Sequence, residues 1–110
     1  MRNDFEKLKD ILEAITRIEK YAIQGKTNFE EDELIQTWFV QNLQIMGEAS
    51  RALSADFREQ HPEIPWSQMI GMRNILVHNY FEVDTEIVWS VIEQNLPELK
   101  TQIERILRTL

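Results

Sequence analysis

Apolar positions recur along this chain at helical spacing almost from end to end. Between about Asp4 and Ile23 the stripe is Phe5, Leu8, Ile11, Leu12, Ile15, Ile18 and Ala22, and Gly25 is a natural stop. Thr27-Asn28-Phe29-Glu30 has the pattern of a capping box, a hydroxyl followed three residues later by a carboxylate. It predicts a second helix to about Ala55, with Leu34, Ile35, Trp38, Ile45, Met46, Ala49 and Leu53 on its stripe. The stretch Arg58–Pro65 holds two prolines and reads as a connector. Pro65 then opens a third helix through Trp66, Ile70 and Leu76 to near Tyr80. Asp84 caps a fourth, with Ile87, Val88, Val91 and Ile92 behind it. Asn95-Leu96-Pro97-Glu98 resembles one more N-terminus, ahead of Leu99, Ile103, Ile106 and Leu107.

No segment alternates with period two for long enough to predict a strand, and there is no repeat or low-complexity tract. The expected fold is all-α, a four- to five-helix up-and-down bundle in one domain spanning residues 1–110. Its first two helices are long and antiparallel.

Polar residues interrupt this pattern in two places. On an ideal helix Met69, Ile70, Leu76, Val77 and Tyr80 all lie within about 60° of Arg73, so the guanidinium sits mid-stripe, where arginine is seldom left without a partner. Asn74 and His78, four apart, share the flank. In the second helix Asn42 falls about 40° from Trp38, inside the stripe, with Gln41 and Glu48 on one edge. A structural account has Glu48 or Asn42 bonding Arg73 across the seam of two packed helices and fixing their register.

Composition narrows the field. The chain has 110 residues, enough for a core without staples, and no cysteine, which removes disulfides and thiolate zinc sites. Two histidines, His61 and His78, are few for a catalytic metal centre. No apolar run approaches membrane-spanning length and no signal peptide opens the chain, so a cytoplasmic protein is expected. The net charge of −7 argues against a general nucleic-acid binder. A local basic patch would have to come from Arg51, Arg58 and Arg73. His61 reads as a solvated loop residue, and Trp38, Trp66 and Trp89 as packing residues.

An imidazole with a pKa near 6.5 suits proton transfer at neutral pH, and an adjacent guanidinium can bind a phosphate and stabilise developing charge. Arg plus His is sufficient, without metal or cofactor, for RNA cleavage by the neighbouring 2′-hydroxyl. The alternative for His78 is a capping or packing role. Geometry poses a difficulty, because five residues separate Arg73 from His78, about 140° around an ideal helix. Either the helix ends near His78, or a symmetric dimer sets Arg73 of one copy against His78 of the other. The dimer is the preferred solution. Tyr80, about 20° from Arg73, reads as a packed aromatic with its hydroxyl at the rim. A phosphate attached there would block an anion site.

Arg73, His78 and Tyr80 spell Arg-x4-His-x-Tyr, and here the chain resembles the HepT-like branch of the HEPN ribonuclease toxins. The likeness extends over Gly47-Glu48-Ala49, Ile64-Pro65-Trp66, Gly71-Met72-Arg73-Asn74, His78-Asn79-Tyr80-Phe81, Val83-Asp84 and Leu96-Pro97-Glu98-Leu99, within residues 5 to 107. The resemblance implies a helical homodimer whose paired motifs form a cleft. It implies metal-independent endoribonuclease activity leaving a cyclic phosphate and a 5′-hydroxyl. In it Arg73 engages the scissile phosphate, His78 is the general acid/base and Asn74 positions it, with Glu48 in support. It also implies a minimal nucleotidyltransferase antitoxin as partner, able to transfer AMP to Tyr80. A competing reading is a non-catalytic helical dimer that binds or regulates that nucleotidyltransferase.

Overall fold

Two long helices, α1 (Asp4–Ala22) and α3 (Glu33–Ala52), form the main seam of the molecule. The structure, a computed structural model, describes residues 3–72, 74, 77–78 and 82–109, with 77 and 78 described through their backbone. Asn3 caps α1 by accepting the Glu6 N–H at 3.1 Å. The two helices run antiparallel, as expected. Asp4 at the start of α1 accepts bonds from Ser54 N and Oγ, just past α3, at 2.9 and 2.8 Å. At the other end the Trp38 indole donates to the Arg17 carbonyl at 3.3 Å.

The expected second helix is two helices. Gly25, at φ +95, adopts a backbone that side chains disfavour and lets the chain turn into α2 (Lys26–Glu31). Thr27 and Glu30 therefore lie inside α2 and make no capping box. The cap sits at Asp32, whose carboxylate accepts from Leu34 N and Ile35 N at 3.0 and 3.2 Å and opens α3. Leu34 is consequently not a core residue but is 83% exposed. Phe39, Val40 and Leu43, absent from the expected stripe, are buried instead.

Part of the expected connector is also helical. Ser54 Oγ accepts from Phe57 N at 3.2 Å and starts α4 (Ala55–Gln60), leaving His61–Pro65 as the link. The chain continues into α5 (Trp66–Ile70), β1 (Val77–His78), β2 (Glu82–Val83) and α6 (Thr85–Ser90), capped by Asp84 as expected. A π turn, Val91–Asn95, joins α6 directly to α7 (Leu96–Thr109). The expected helix start at Asn95 is thus a continuation. Pro97 has no N–H for the Glu93 carbonyl and its ring crowds that carbonyl. The wider turn, with Leu96 N bonded back to Val91 O, accommodates it.

The core is the meeting of three helical faces. Leu8, Ile11, Ala14, Ile15 and Ile18 of α1 meet Phe39, Leu43 and Met46 of α3 and Val88, Ile92, Leu99 and Ile103 of the C-terminal segment. Phe29 of α2 stacks on Phe39 with centroids 5.3 Å apart and tilts against Trp89 at 5.5 Å, pinning the short helix to both. On the surface Lys100 reaches back to Glu19 at 2.9 Å. The mostly helical architecture agrees with the all-α expectation, with one difference: β1 and β2 pair antiparallel, Val77 with Val83 and His78 with Glu82.

Candidate functional site

The segment leading to His78 is anchored through α5. Trp66 is 7% exposed and donates its indole N–H to the His61 carbonyl at 2.9 Å, and Ile64 beside it is buried. Met69 is pressed under α3, where Gly47 has no side chain. A Cβ at Gly47 would stand 2.7 Å from the Met69 carbonyl oxygen, so glycine is what lets the helices approach this closely. Ser50 adds a contact, its hydroxyl bonding the Met46 carbonyl at 2.8 Å and lying 3.9 Å from the Met69 sulfur.

Gly71 ends α5, its N–H returning to the Ser67 carbonyl at 3.1 Å. Asn74 follows in a further turn, N–H to the Gly71 carbonyl at 3.1 Å, with its side chain exposed. By Val77 the backbone is extended. The expected helix through Tyr80 is therefore interrupted, and the ideal-helix angle between positions 73 and 78 does not apply. Arg73 and Tyr80 lie outside the described residues, as does the side chain of His78.

Of the partners considered for Arg73, Glu48 is exposed on α3. It lines a groove of about 540 Å³ with Lys7 and Asp10 of α1, Gln44 of α3 and Ile70 of α5. Lys7, Asp10 and Gln44 did not stand out in the sequence, because on α1 and α3 they look like ordinary solvated flanks. Asn42 is buried as its position on the stripe implied, 1% exposed. Its amide donates to the Trp38 carbonyl at 2.9 Å, while Oδ1 has no partner among the described residues. Gln41 is exposed.

Other expectations need revision. His61 is not a freely solvated loop residue. Its ring packs on Phe57 with centroids 4.6 Å apart, and Nδ1 faces the Glu63 carboxylate at 3.8 Å. Arg51 is exposed at the end of α3, whereas Arg58 is half-buried with a sequestered Nε that has no partner among the described residues. Trp66 and Trp89 are packed in the core, and Trp38 is half-buried. No helix among the described residues is long and apolar enough to cross a membrane.

A short helix held against a glycine notch leads into the chain that carries Arg-x4-His-x-Tyr, extended at Val77–His78, in a mostly helical frame, and the comparisons place this chain in a family. The family model described as "Ribonuclease HepT-like" matches residues 11–106, and the chain belongs to that family. A protein of Methanocaldococcus jannaschii named "Putative RNase MJ1380" is 37% identical over 98 residues, 88% of this chain and 90% of its own. One from Thermococcus cleftensis named "Probable ribonuclease HepT" is 38% identical over 108 residues, 96% of each chain. "Putative RNase TTE0752" of Caldanaerobacter subterraneus is 41% identical over 81 residues, 74% of this chain and 72% of that one. No solved structure matches significantly.

Proposed function

We propose that this protein is a metal-independent endoribonuclease, the toxin of a toxin–antitoxin pair, acting through Arg73 and His78 in the cleft of a homodimer. The observation that carries the reading is that the ribonuclease family match, residues 11–106, spans the whole Arg-x4-His-x-Tyr motif. The backbone is extended at 77–78, so a continuous helix does not hold positions 73 and 78 apart, and a site can form within one copy as well as across two; the dimer rests on the family resemblance.

In this mechanism His78 takes the proton of a ribose 2′-hydroxyl and O2′ attacks the adjacent phosphorus. The P–O5′ bond breaks, the leaving oxygen gains a proton, and the products are a 2′,3′-cyclic phosphate and a 5′-hydroxyl. Arg73 neutralises the phosphate as charge builds on its oxygens. Asn74 orients the imidazole, and Glu48 supports the site from α3. The net charge of −7 implies that this chain holds RNA weakly unaided.

Regulation follows from the same segment. A nucleotidyltransferase antitoxin transfers AMP from ATP to the Tyr80 hydroxyl, releasing pyrophosphate. The added phosphate then occupies the anion site beside Arg73. Expressing the chain alone in bacteria is expected to arrest growth, with relief by His78→Ala or by co-expression of the partner. A wild-type chain as harmless as His78→Ala, with no RNA cleaved, is the outcome that leaves the non-catalytic dimer standing.

A further inference from the structure

A second groove, of about 400 Å³, opens on the other side of α5, between it and the π turn. Its accessible apolar wall is exposed Pro65 with half-buried Met72 and Val91, and Met46 and Met69 are buried behind them. Methionine side chains are flexible and polarizable and pack well against aromatic faces. Amides and carboxylates surround that wall. Gln102 is tied by its amide to the Glu63 carbonyl at 3.5 Å, and the Glu63 carboxylate faces His61. Gln68, Asn95 and Glu98 are exposed and have no side-chain hydrogen bond among the described residues, so their polar atoms are available to a ligand.

Asn95 enters this groove from the π turn. The acidic rim disfavours phosphate and selects a group that offers N–H donors. Met72 is the residue immediately before Arg73, so the groove adjoins the proposed catalytic segment along the chain.

We propose that this groove is a nucleobase subsite that takes guanine from the RNA. The ring lies on Met72, against Val91 and Pro65. The Glu98 carboxylate accepts from guanine N1–H and N2–H, while the Gln68 and Asn95 amides donate to O6 and N7. Adenine, cytosine and uracil each lack the paired N–H donors that one carboxylate can bridge. The inference deepens the ribonuclease reading and rests on it for its biological meaning, but its test does not require cleavage.

The full chain with 13C-methyl methionine is titrated with each of the four nucleoside 3′-monophosphates. Guanosine monophosphate is expected to shift the Met72 methyl most strongly, and the other three nucleotides are expected to leave it unmoved. Glu98→Gln, with an unchanged unliganded spectrum, should weaken that binding about tenfold and abolish the preference for guanine. No methyl shift at millimolar nucleotide, an equal response to all four bases, or an unaffected Glu98→Gln variant overturns the proposal. RNA cleavage by the same samples is scored separately. Cleavage without methyl shifts rejects only the base subsite, and guanine-selective shifts without cleavage reject only the nuclease.

Discussion

Gly47→Ala should loosen the seam that holds α5 in place. The new Cβ would meet the Met69 carbonyl oxygen at 2.7 Å, with the Ile70 oxygen and Met69 carbon at 3.6 Å. The nearest atom is backbone, so relief requires α5 to shift away from α3. Overpacking of this kind costs about 1–3 kcal/mol, more where backbone must move. Alanine returns about 1 kcal/mol of helix propensity in the interior of α3. Because the obstructing atom is backbone, the upper end of that range applies, and the net loss is about 2 kcal/mol, which corresponds to a fall in Tm of roughly 8 °C for a domain of this size. Gly71→Ala is the internal control. Among the described residues its Cβ would find only the Ser67 oxygen, at an ordinary 3.5 Å, and its φ of −88° suits alanine, so its Tm should stay within about 2 °C. Thermal and urea unfolding of both variants measure this. Gly47→Ala as stable as wild type, or Gly71→Ala equally damaged, would refute the close approach as the reason for glycine.

Three further outcomes follow from local contacts. Asp32→Ala removes the carboxylate that accepts from Leu34 and Ile35 and should cost about 1 kcal/mol in urea unfolding, whereas Asp32→Asn keeps most of it; equal losses would discount the cap. Asn42→Leu takes out a buried amide whose Oδ1 is unpartnered among the described residues, so stability should change by less than about 1 kcal/mol in either direction. A much larger loss would reveal a partner for that oxygen. The hydrogen bond and charge of Glu19 raise the pKa of Lys100 above its usual 10.5. A raised lysine stabilises the fold fully below that ordinary value and stops doing so as pH climbs through the folded value. Lys100→Met should therefore cost at most about 0.5 kcal/mol at neutral pH, given how exposed the pair is, and nothing at strongly alkaline pH. A gap that widened as pH rose past 10.5 would contradict the assignment.

The helical frame was legible in the sequence because its signals are local and repeated. Most of the α1 stripe and the burial of Asn42 can be read from periodicity alone, although Phe5 is exposed and Ala14 is buried in its place, and Asp84 announces its helix by a side chain that caps it. The α2–α3 break was not legible, since Thr27–Glu30 has the capping-box pattern, whereas the turn at Gly25 places those residues inside α2 and the cap of α3 falls to Asp32. Asn95-Leu96-Pro97 has every mark of a helix start, yet packing of Ile92, Leu96 and Leu99 on the same core holds one continuous helix there with a widened turn. The apolar spacing of residues 69–77 fits a helix equally well, but Val77 and His78 find strand partners in Val83 and Glu82, a non-local contact that periodicity does not report. For the site, the motif residues were legible as a family pattern, while the groove beside Glu48 depends on how closely α3 and α5 approach at Gly47.

The central claim is that Arg73 and His78 cleave RNA without a metal. Purified wild-type protein, incubated with RNA in excess EDTA, is predicted to produce fragments ending in 2′,3′-cyclic phosphate and 5′-hydroxyl. His78→Ala and Arg73→Ala, folded like wild type, should each slow this by at least about a hundredfold. Fragments that vanish with EDTA, that carry 5′-phosphates, or that form equally fast with His78→Ala would contradict the account.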